Sequence, residues 1–306
     1  MTKIKVIGVG GSGSNTVSRL FRSKIQGVDL IALNTDLQDL KKAKANLKIQ
    51  IGKNLTKGLG SGMNPGIGEK AAEEQREEIA QVLKGSDMVF ITYGLGGGTG
   101  TGAGPVIAEI ARMQKILTVA VVTEPFSFEG APRMKISNQG LENLRDKVDT
   151  LVVIPNDKIL SLVDQNTTLL SAFWLCDETL RQAVQGISDL ILVPGIINVD
   201  FADVKAIMTN SGQAFFGQGK ARGEKRVEEA CNQAISSSLV DFSIQGTKGV
   251  LFNVSGGDDL SLTEIDQAAK IITKNVDSQA KIIFGAVKDS KLKKGEVKIM
   301  VIATGF

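Results

Sequence analysis

GLGGGTGTG, at residues 94–102, is the stretch that indicates the fold most clearly. It follows the apolar run SDMVFITY at 86–93, which is typical of a buried strand, and it precedes the helical pattern GPVIAEIARMQ at 104–114. A glycine-rich loop between a strand and a helix presents backbone N–H groups and the positive end of the helix dipole to an anion. Because glycine costs about 1 kcal/mol of backbone entropy where it is not needed, this composition favours anion binding over a packing role.

A second glycine-rich loop, GVGGSGSN at residues 8–15, leaves the strand-like run KIKVIGV and enters another helical pattern. Gly8, Gly10 and Gly13 also satisfy G-x-G-x-x-G, and Asp36 stands where a ribose-binding acid would lie in a nicotinamide dehydrogenase, so that enzyme class remains an alternative. Glycines that merely let a strand and a helix approach closely are an equally common explanation of one such motif. Two loops together suit a triphosphate better than a single pyrophosphate.

The composition limits the chemistry available to the chain. It has 306 residues, of which 42% are hydrophobic, so two domains of ordinary size are expected. The absence of histidine excludes Ser-His-Asp and Cys-His nucleophilic systems and most zinc-hydrolase sites. No G-x-x-x-x-G-K-[ST] motif occurs, so charge on a bound phosphate should be neutralised by backbone dipoles and Mg²⁺, with no metal ligand predicted from the protein.

Location and partners are predicted from charge and cysteine usage. Cys176 and Cys231 each lie alone in a helical pattern, which favours a reducing, cytoplasmic setting without a disulfide framework. No signal peptide or bilayer-length apolar run is present, so a soluble chain without direct membrane insertion is expected. The 36 basic residues against 33 acidic ones are spread along the sequence, so no nucleic-acid partner is expected.

The order of apolar runs predicts an α/β fold with a doubly wound parallel sheet, joined by a long central helix to a smaller α+β domain. The predicted strands of the first domain are KIKVIGV, VDLIALN, SDMVFITY, ILTVAVVT and DTLVVIP. The central helix is predicted over Leu169–Leu192, with capping signals at 166–168 and a stop at Pro194-Gly195. The expected domains are therefore 1–168, 169–193 and 194–306.

The second domain is predicted from a similar series of patterns. Its elements are helices at Phe201–Met208, Glu224–Ser236 and 265–274, a glycine-rich strand near Gln213–Gly217, and the strands GVLFNVS, KIIFGAV and EVKIMVIATGF. Ser261 and Glu264 have the spacing of a capping box before the last helix. The mixture of helices and strands predicts an α+β arrangement.

The sequence resembles the tubulin/FtsZ family over essentially its whole length. The motif GGGTGTG at 96–102 is the tubulin signature, and further similar stretches follow in the same order as in the family. They are GVGGSGSNTV at 8–17, NTD at 34–36, GLGSGMNP at 58–65, PFSFEG at 125–130, IPND at 154–157, AVQGISDLI at 183–191 and NVDFADVKAIM at 198–208. The resemblance implies a GTP-binding, GTP-hydrolysing protein that polymerises head to tail, with GTP/GDP and Mg²⁺ as ligands.

The resemblance also implies roles for individual residues. Glu129 would hold the ribose and Arg133 would lie near the phosphates, while Phe173 would stack on guanine. Asp177 would accept the N1 and N2 protons of guanine, which adenine does not offer. As alternatives, Phe173 would be core and Asp177 a solvated charge. The other expected nucleotide-binding residues are Gly10, Gly11, Ser12, Gly13, Ser14, Asn15, Gly60, Gly62, Gly96, Gly97, Gly98, Thr99, Gly100, Thr101, Gly102 and Asn156.

A third implied feature is a catalytic loop formed by Asn198, Asp200 and Asp203. Acids at the first turn of a helix are often only caps. However, a helix that runs from Asp177 to Pro194 rises roughly 25 Å at about 1.5 Å per residue, so these acids are expected to reach the nucleotide of an adjacent subunit. The family resemblance implies a cytokinetic filament at the division site, and a filament without turnover is the alternative. Division proteins and membrane adaptors remain possible partners, although the family's usual C-terminal recruiting peptide is not visible in this sequence.

Overall fold

The computed structural model describes residues 2–25, 27–160, 167–236, 246–274, 276–289 and 291–306. The chain divides into two units, Met1–Gln185 and Gly186–Phe306. Among the described residues, no helix combines the length and apolar character that crossing a bilayer requires.

Six parallel strands form the sheet of the first unit. The strands are β1 (Ile4–Val9), β2 (Val28–Asn34), β3 (Leu47–Gln50), β4 (Met88–Gly94), β5 (Leu117–Glu124) and β6 (Thr150–Pro155). Their order is β3-β2-β1-β4-β5-β6, and every described pair is parallel. The order reverses direction between β1 and β4. In an open α/β sheet, such a switch point opens a crevice at the carboxyl ends of the strands, where ligands bind.

Nine helices occur in or begin in the described part of this unit, and most of them connect the strands. They are α1 (Gly10–Arg22), α2 (Leu37–Lys42), α3 (Lys53–Thr56), α4 (Pro65–Glu74), α5 (Arg76–Leu83), α6 (Gly98–Met113), α7 (Ala131–Arg145), α8 (Asn156–Leu160) and α9 (Leu169–Leu192). A 3₁₀ turn covers Ser127–Glu129. The first six residues of β4 are buried, as expected for a central strand covered on both faces.

The second unit has a mixed sheet with three helices in its described part. Its elements are α10 (Phe201–Met208), β7 (Gly212–Arg222), α11 (Arg226–Ile235), β8 (Gly249–Gly256), α12 (Leu262–Thr273), β9 (Lys281–Lys288) and β10 (Glu296–Thr304). The strand order is β7-β10-β8-β9. β10 runs antiparallel to both β7 and β8, whereas β9 is parallel to β8. A separate hydrophobic core, which includes Phe215, Phe252 and Ile299, lies within this unit.

Most sequence-based element predictions are confirmed. The five predicted strands of the first unit lie within two residues of observed ones, and the long helix has the predicted bounds. Thr168 Oγ1 accepts a hydrogen bond from Ser171 N at 3.2 Å and caps that helix, while Asn166 lies outside the described residues. The capping box is present, since Ser261 and Glu264 bond each other's backbone N–H groups. Cys176 and Cys231 lie in α9 and α11 as free, buried thiols.

The glycine-rich strand β7 extends further than predicted, to Arg222 instead of Gly217. Glycine is depleted in strands, so the sequence pattern predicted that this strand ends too early. Here the glycines allow close packing against α11, because a Cβ on Gly217 would lie 1.9 Å from the carbonyl oxygen of Ala234 and one on Gly219 would lie 2.0 Å from that of Ala230.

Candidate functional site

The two glycine-rich loops meet at the switch point between β1 and β4. α1 begins at Gly10, directly after β1, and α6 begins at Gly98 with Gly97 as its N-cap. A Cβ on Gly10, whose φ is +70°, would lie 3.3 Å from the backbone nitrogen of Gly100, so the loops are in contact. Neither helix has an acidic residue in its first turn. Two uncompensated helix N-termini therefore lie together, which suits an anion with several phosphate groups.

The glycines of the second loop divide into two groups. A Cβ on Gly98 would lie 2.6 Å from Asn64 N, and one on Gly102 would lie 1.9 Å from the carbonyl oxygen of Pro65. These contacts pack α6 against α4, so the expectation that packing explains little of this composition is wrong for these positions. Gly97 differs, because the nearest atom to its Cβ would be 3.9 Å away, and Gly96 has a φ of +84°. Of these two, Gly97 is the glycine whose backbone is free to approach a ligand, whereas Gly96 packs against Arg133.

This division predicts different effects for two alanine substitutions. Gly102→Ala should lower the free energy of unfolding by about 1–3 kcal/mol, since the new methyl group must displace backbone. Gly97→Ala has room for its methyl group and an ordinary φ of −87°, so it should keep wild-type stability but weaken nucleotide binding. Urea unfolding and calorimetric titration with GDP measure the two properties. Equal stability of the two variants would contradict the assignment.

Hydroxyl groups connect the second loop with the segment that contains Gly60 and Gly62. Thr99 Oγ1 lies 2.6 Å from Thr35 Oγ1 and 2.9 Å from Ser61 Oγ. Gly60 and Gly62 have φ values of +84° and +56°, and a Cβ on Gly62 would meet nothing within 4 Å. The segment therefore lies against the start of α6 with open space at Gly62.

The other predicted loop residues differ in burial. The side chains of Ser14 and Thr101 are buried, and their hydroxyl oxygens have no hydrogen-bond partner among the described residues. A Cβ on Gly13 would lie 2.3 Å from the carbonyl oxygen of Thr92, so Gly13 permits close helix–strand packing. Gly11 and Asn15 are exposed at the start of α1 and remain accessible to a ligand.

Asp36 has a structural role at the N-terminus of α2. Its Oδ1 accepts hydrogen bonds from Gln38 N at 2.8 Å and Asp39 N at 3.0 Å, which satisfies two free N–H groups of that helix. Helix capping explains why an acid stands at position 36 without any bound ribose. The acid that would bind ribose in the dinucleotide-binding alternative therefore has a structural role at the start of α2.

The Asp177 carboxylate lies against α1 and is buried, with only 9% of the residue exposed. Its Oδ2 lies 3.4 Å from Arg19 Nη2, and Ser12 Oγ donates to its Oδ1 at 3.5 Å. Burial raises the pKa of Asp177 to about 6, and the charge of Arg19 opposes this rise. The alternative that Asp177 is a solvated surface charge is therefore wrong. A buried carboxylate beside the start of α1 can select a ligand edge with two N–H groups.

Aromatic residues lie next to this carboxylate. Phe173 is 38% exposed, and its ring packs edge-on against Phe126 with centroids 5.3 Å apart. Phe126 in turn stacks on Phe128. Phe173 is thus held by the aromatic cluster while part of it stays accessible, so it is not a fully buried core residue. A planar ligand could stack on the accessible part.

Arg19 is a site residue that sequence reasoning did not identify. Its guanidinium lies 5.2 Å from the centre of the Trp174 ring, in addition to its contact with Asp177. In sequence, a basic residue in the last turn of α1 reads as an ordinary dipole-stabilising charge. Only the packing of α1 against α9 brings it to a carboxylate 158 positions away.

Glu129 and Arg133 form an ion pair at 2.9 Å beside the second loop. Glu129 Oε1 also accepts from Phe126 N at 2.8 Å, which fixes the turn before α7. A Cβ on Gly96 would lie 2.8 Å from Arg133 Cγ, so the arginine stem lies along the loop. Arg133 Nε and Asn156 Oδ1 are buried without a partner among the described residues. Buried polar atoms normally have partners, so these two atoms fit a polar ligand.

The pKa of Asp177 predicts how nucleotide affinity depends on pH. Only the ionised carboxylate can accept two hydrogen bonds, and without bound nucleotide it becomes protonated as pH falls through about 6. GDP affinity should therefore be constant above pH 7 and fall about tenfold per unit below 6. Asp177→Asn provides the control, since calorimetry should give it lower affinity and no such fall. Parallel profiles for both proteins would show that the nucleotide phosphates cause the effect.

The three predicted catalytic residues lie in the second unit. Asn198 Oδ1 accepts from Gly195 N at 2.7 Å, and Asp200 caps α10 by accepting from Ala202 N at 3.2 Å. Asp203 lies in the first turn of α10, with Oδ1 at 3.8 Å from Lys281 Nζ. The carboxylates of Asp200 and Asp203 are exposed, so both can meet another molecule. The capping interpretation is correct for Asp200, and it leaves the other carboxylate oxygen available.

These features define a class of nucleotide-binding α/β fold in which two glycine loops replace the P-loop and its lysine. Residues 3–164 match the model for the Tubulin/FtsZ family, GTPase domain, and residues 212–306 match that for the FtsZ family, C-terminal domain. The chain belongs to the tubulin/FtsZ family, and it is a GTPase that binds GTP and GDP. The nicotinamide dehydrogenase alternative is dropped.

Solved structures agree with this assignment. An empty FtsZ dimer from M. jannaschii is 50% identical, with a TM-score of 0.96 over 100% of this chain and 88% of that one. A tryptophan-to-tyrosine variant of M. jannaschii FtsZ has the same identity and TM-score, over 99% and 91% of the two chains. A GTPγS-bound protofilament of CetZ2 from Haloferax volcanii is 21% identical, with a TM-score of 0.81 over 99% and 92%. This last match shows the shared fold alone.

Proposed function

We propose that this GTPase assembles head to tail into filaments and hydrolyses GTP only at the contact between two subunits. The observation that carries the proposal is the division of the site residues between the units. Both phosphate-binding loops and Asp177 belong to the first unit, whereas the exposed acids of α10 belong to the second. A site that needs both sets can be completed by a second copy.

Within the first unit, we assign the nucleotide contacts by chemistry. The α1 and α6 N-termini bind the phosphates, Glu129 and Asn156 contact the sugar, and Phe173 stacks on the base while Asp177 accepts its N1 and N2 protons. The unpartnered Arg133 Nε and Asn156 Oδ1 support this assignment. Mg²⁺ would be held mainly by phosphate oxygens and would neutralise their charge. Within the described residues, no group of three or more acidic or cysteine side chains could hold a metal ion.

The catalytic roles go to the acids of the neighbouring subunit. Asp200 and Asp203 would orient the attacking water, and Asn198 would contact the end of the nucleotide. α9 is continuous from Leu169 to Leu192 and rises about 22 Å beyond Asp177, which supports action on the nucleotide of another copy. A contact between different faces of two copies generates an open filament rather than a closed dimer.

The biological setting follows from the relatives. The M. jannaschii match is described as an FtsZ dimer, which supports self-association of this chain. We assign it to the cytoplasmic division machinery, with a filament at the division site and membrane adaptors and division proteins as further partners. Nucleic acid is not among the assigned partners.

The proposal is tested by measuring phosphate release from GTP and Mg²⁺ against protein concentration, with light scattering as the measure of assembly. Turnover per subunit should rise steeply at the concentration where scattering appears. ATP and NAD should not replace GTP. Turnover per subunit that stays constant in dilute, unassembled protein would defeat the shared-site mechanism.

A further inference from the structure

Arg19 of α1 contacts two side chains of α9, the carboxylate of Asp177 and the ring of Trp174. Its Nη2 lies 3.4 Å from Asp177 Oδ2, and its guanidinium carbon lies 5.2 Å from the centre of the Trp174 ring. Ser12 Oγ donates to the other carboxylate oxygen, Oδ1, at 3.5 Å. Ser12 and Arg19 are seven residues apart, so they lie on one face of α1. That face of α1 therefore contacts both oxygens of the carboxylate.

Both contacts to the carboxylate are long, so they leave it able to accept further hydrogen bonds. Hydrogen bonds from nitrogen to oxygen are usually about 2.9–3.0 Å long, whereas the distances to Arg19 and Ser12 are 3.4 and 3.5 Å. Arg19 therefore acts on Asp177 mainly through its charge and leaves the oxygen lone pairs to a ligand. The charge is needed, because a buried carboxylate without a cation tends to become protonated.

The other ionisable groups around Asp177 cannot replace Arg19. Two nearby acids each pair with an arginine of their own, as Glu178–Arg181 and Glu129–Arg133. Burial, together with the charge of Asp177, raises the pKa of the Cys176 thiol to about 12, so this neighbour stays neutral. Among the described residues, Arg19 is the only cation in contact with the Asp177 carboxylate. Without bound nucleotide, the ionised form of Asp177 therefore depends on Arg19.

Trp174 restrains the Arg19 guanidinium. A guanidinium that lies over an indole ring is attracted by the π electrons, and its planar shape allows a stacking that a lysine ammonium cannot match. Arg19 Nε is buried without a hydrogen-bond partner among the described residues, so hydrogen bonds at that atom do not fix the side chain. With 22% of its side chain exposed, Arg19 could otherwise turn toward water. The contact with Trp174 therefore favours the position in which Arg19 faces the carboxylate.

We propose that Arg19 is a positioning residue for base recognition, which together with Trp174 holds the Asp177 carboxylate in place and keeps it ionised. The inference rests on the proposed function, in which Asp177 accepts the N1 and N2 protons of guanine. Burial raises the pKa of Asp177 to about 6 even though the charge of Arg19 opposes this rise, so removal of the cation should raise the pKa further. Much of the protein would then carry a protonated carboxylate at neutral pH, which cannot accept both protons of the base.

Calorimetric titration of Arg19→Gln with GDP, between about pH 6 and pH 8.5, tests the proposal. The pH below which affinity falls should move up by at least about one unit. Affinity should therefore be at least about fivefold below that of the wild type at pH 6 and should recover most of the difference at about pH 8.5. Arg19→Lys keeps the charge and should lie between the two proteins. Trp174→Leu should lower affinity at pH 6 by about two- to fivefold, which corresponds to the usual strength of a cation–π contact.

Fluorescence without nucleotide tests the contact independently of guanine binding. Trp174 is the only tryptophan of the chain, so its emission reports on the guanidinium that lies over it. Emission of the wild type should change as pH falls through about 6, because protonation of Asp177 releases Arg19. Asp177→Asn should show no such change. A flat emission of the wild type across this range would overturn the link between Asp177, Arg19 and Trp174.

Arg22→Gln is the matched control, because it removes the same charge from an exposed position in the same last turn of α1. It should keep the wild-type pH profile of GDP affinity. A loss of affinity in Arg19→Gln that is equal at every pH would show a merely structural role, and an unchanged profile would show no role in recognition. Either result would overturn the proposal. If Asp177→Asn kept the affinity and pH profile of the wild type, the proposed function of Asp177 would itself be wrong, and this inference with it.

Discussion

Asp203→Ala should bind GTP with wild-type affinity and lose nearly all hydrolysis. The residues that we propose bind the nucleotide are in the first unit, so binding should be preserved, whereas the carboxylate that would orient water is removed. The stability loss should be small, about 1 kcal/mol, because Asp203 is exposed and interacts mainly with the helix N-terminus and Lys281. Single-turnover phosphate release and GTP titration measure the two effects. Asp266→Ala, which removes an exposed acid paired with Lys270 on α12, is the matched control.

A mixing experiment distinguishes a shared site from a local one. Asp203→Ala has an intact pocket, and a variant impaired in nucleotide binding has an intact acidic loop. Together they should recover part of the activity, since one contact can combine the two intact halves. Lys281→Met tests the remaining alternative, in which Asp203 serves only its ion pair. If Lys281→Met lost as much turnover as Asp203→Ala, the carboxylate would be a structural element and its catalytic assignment would fail.

Asp177→Ala should lose its preference for guanine nucleotides and should bind GTP much more weakly. Two hydrogen bonds from a buried carboxylate to the base are worth about 2–4 kcal/mol together, so GTP affinity should fall by a factor of roughly 30 to 10³. ATP affinity should change little, because adenine offers an acceptor where guanine offers the N1 proton. Calorimetric titration of wild type and variant with both nucleotides gives the comparison.

Glu178→Gln is the control for this substitution. It alters the next carboxylate along α9, which pairs with Arg181, and it should keep the preference for GTP. If Asp177→Ala retained the wild-type ratio of GTP to ATP affinity, the carboxylate would have no part in base selection. Its buried contact with Arg19 would then be its main role.

The framework of the fold could be predicted from sequence because its strands are continuous apolar runs and α9 has a long helical period. The missed elements carry weaker patterns. β3 is LKIQ, in which only Ile49 is buried, and nothing in four such residues separates an edge strand from a loop. The full length of β7 depends on its packing against α11. The strand preference of the local sequence gives no information about that packing.

The parts of the candidate site that present backbone N–H groups could be predicted from sequence. Loops after β1 and β4 indicate anion binding from their own composition. Arg19 was missed because its partner is distant in sequence. The two roles of the glycines, helix packing and approach to a ligand, were also missed. Which role Gly102 has depends on where Pro65 lies.

The contact between α4 and α6 has a mechanical consequence. A Cβ on Gly68 would lie 2.3 Å from the carbonyl oxygen of Gly98, so backbone touches backbone at the turn that would hold the phosphates. The contact involves only backbone atoms, so no change of a side-chain torsion angle could let the two helices slide past each other. We therefore expect the start of α6 and α4 to move together, so that a displacement caused by loss of a phosphate group would be transmitted to the outer surface of α4. In a filament under load, this connection would act as a stiff lever between the nucleotide and the subunit surface.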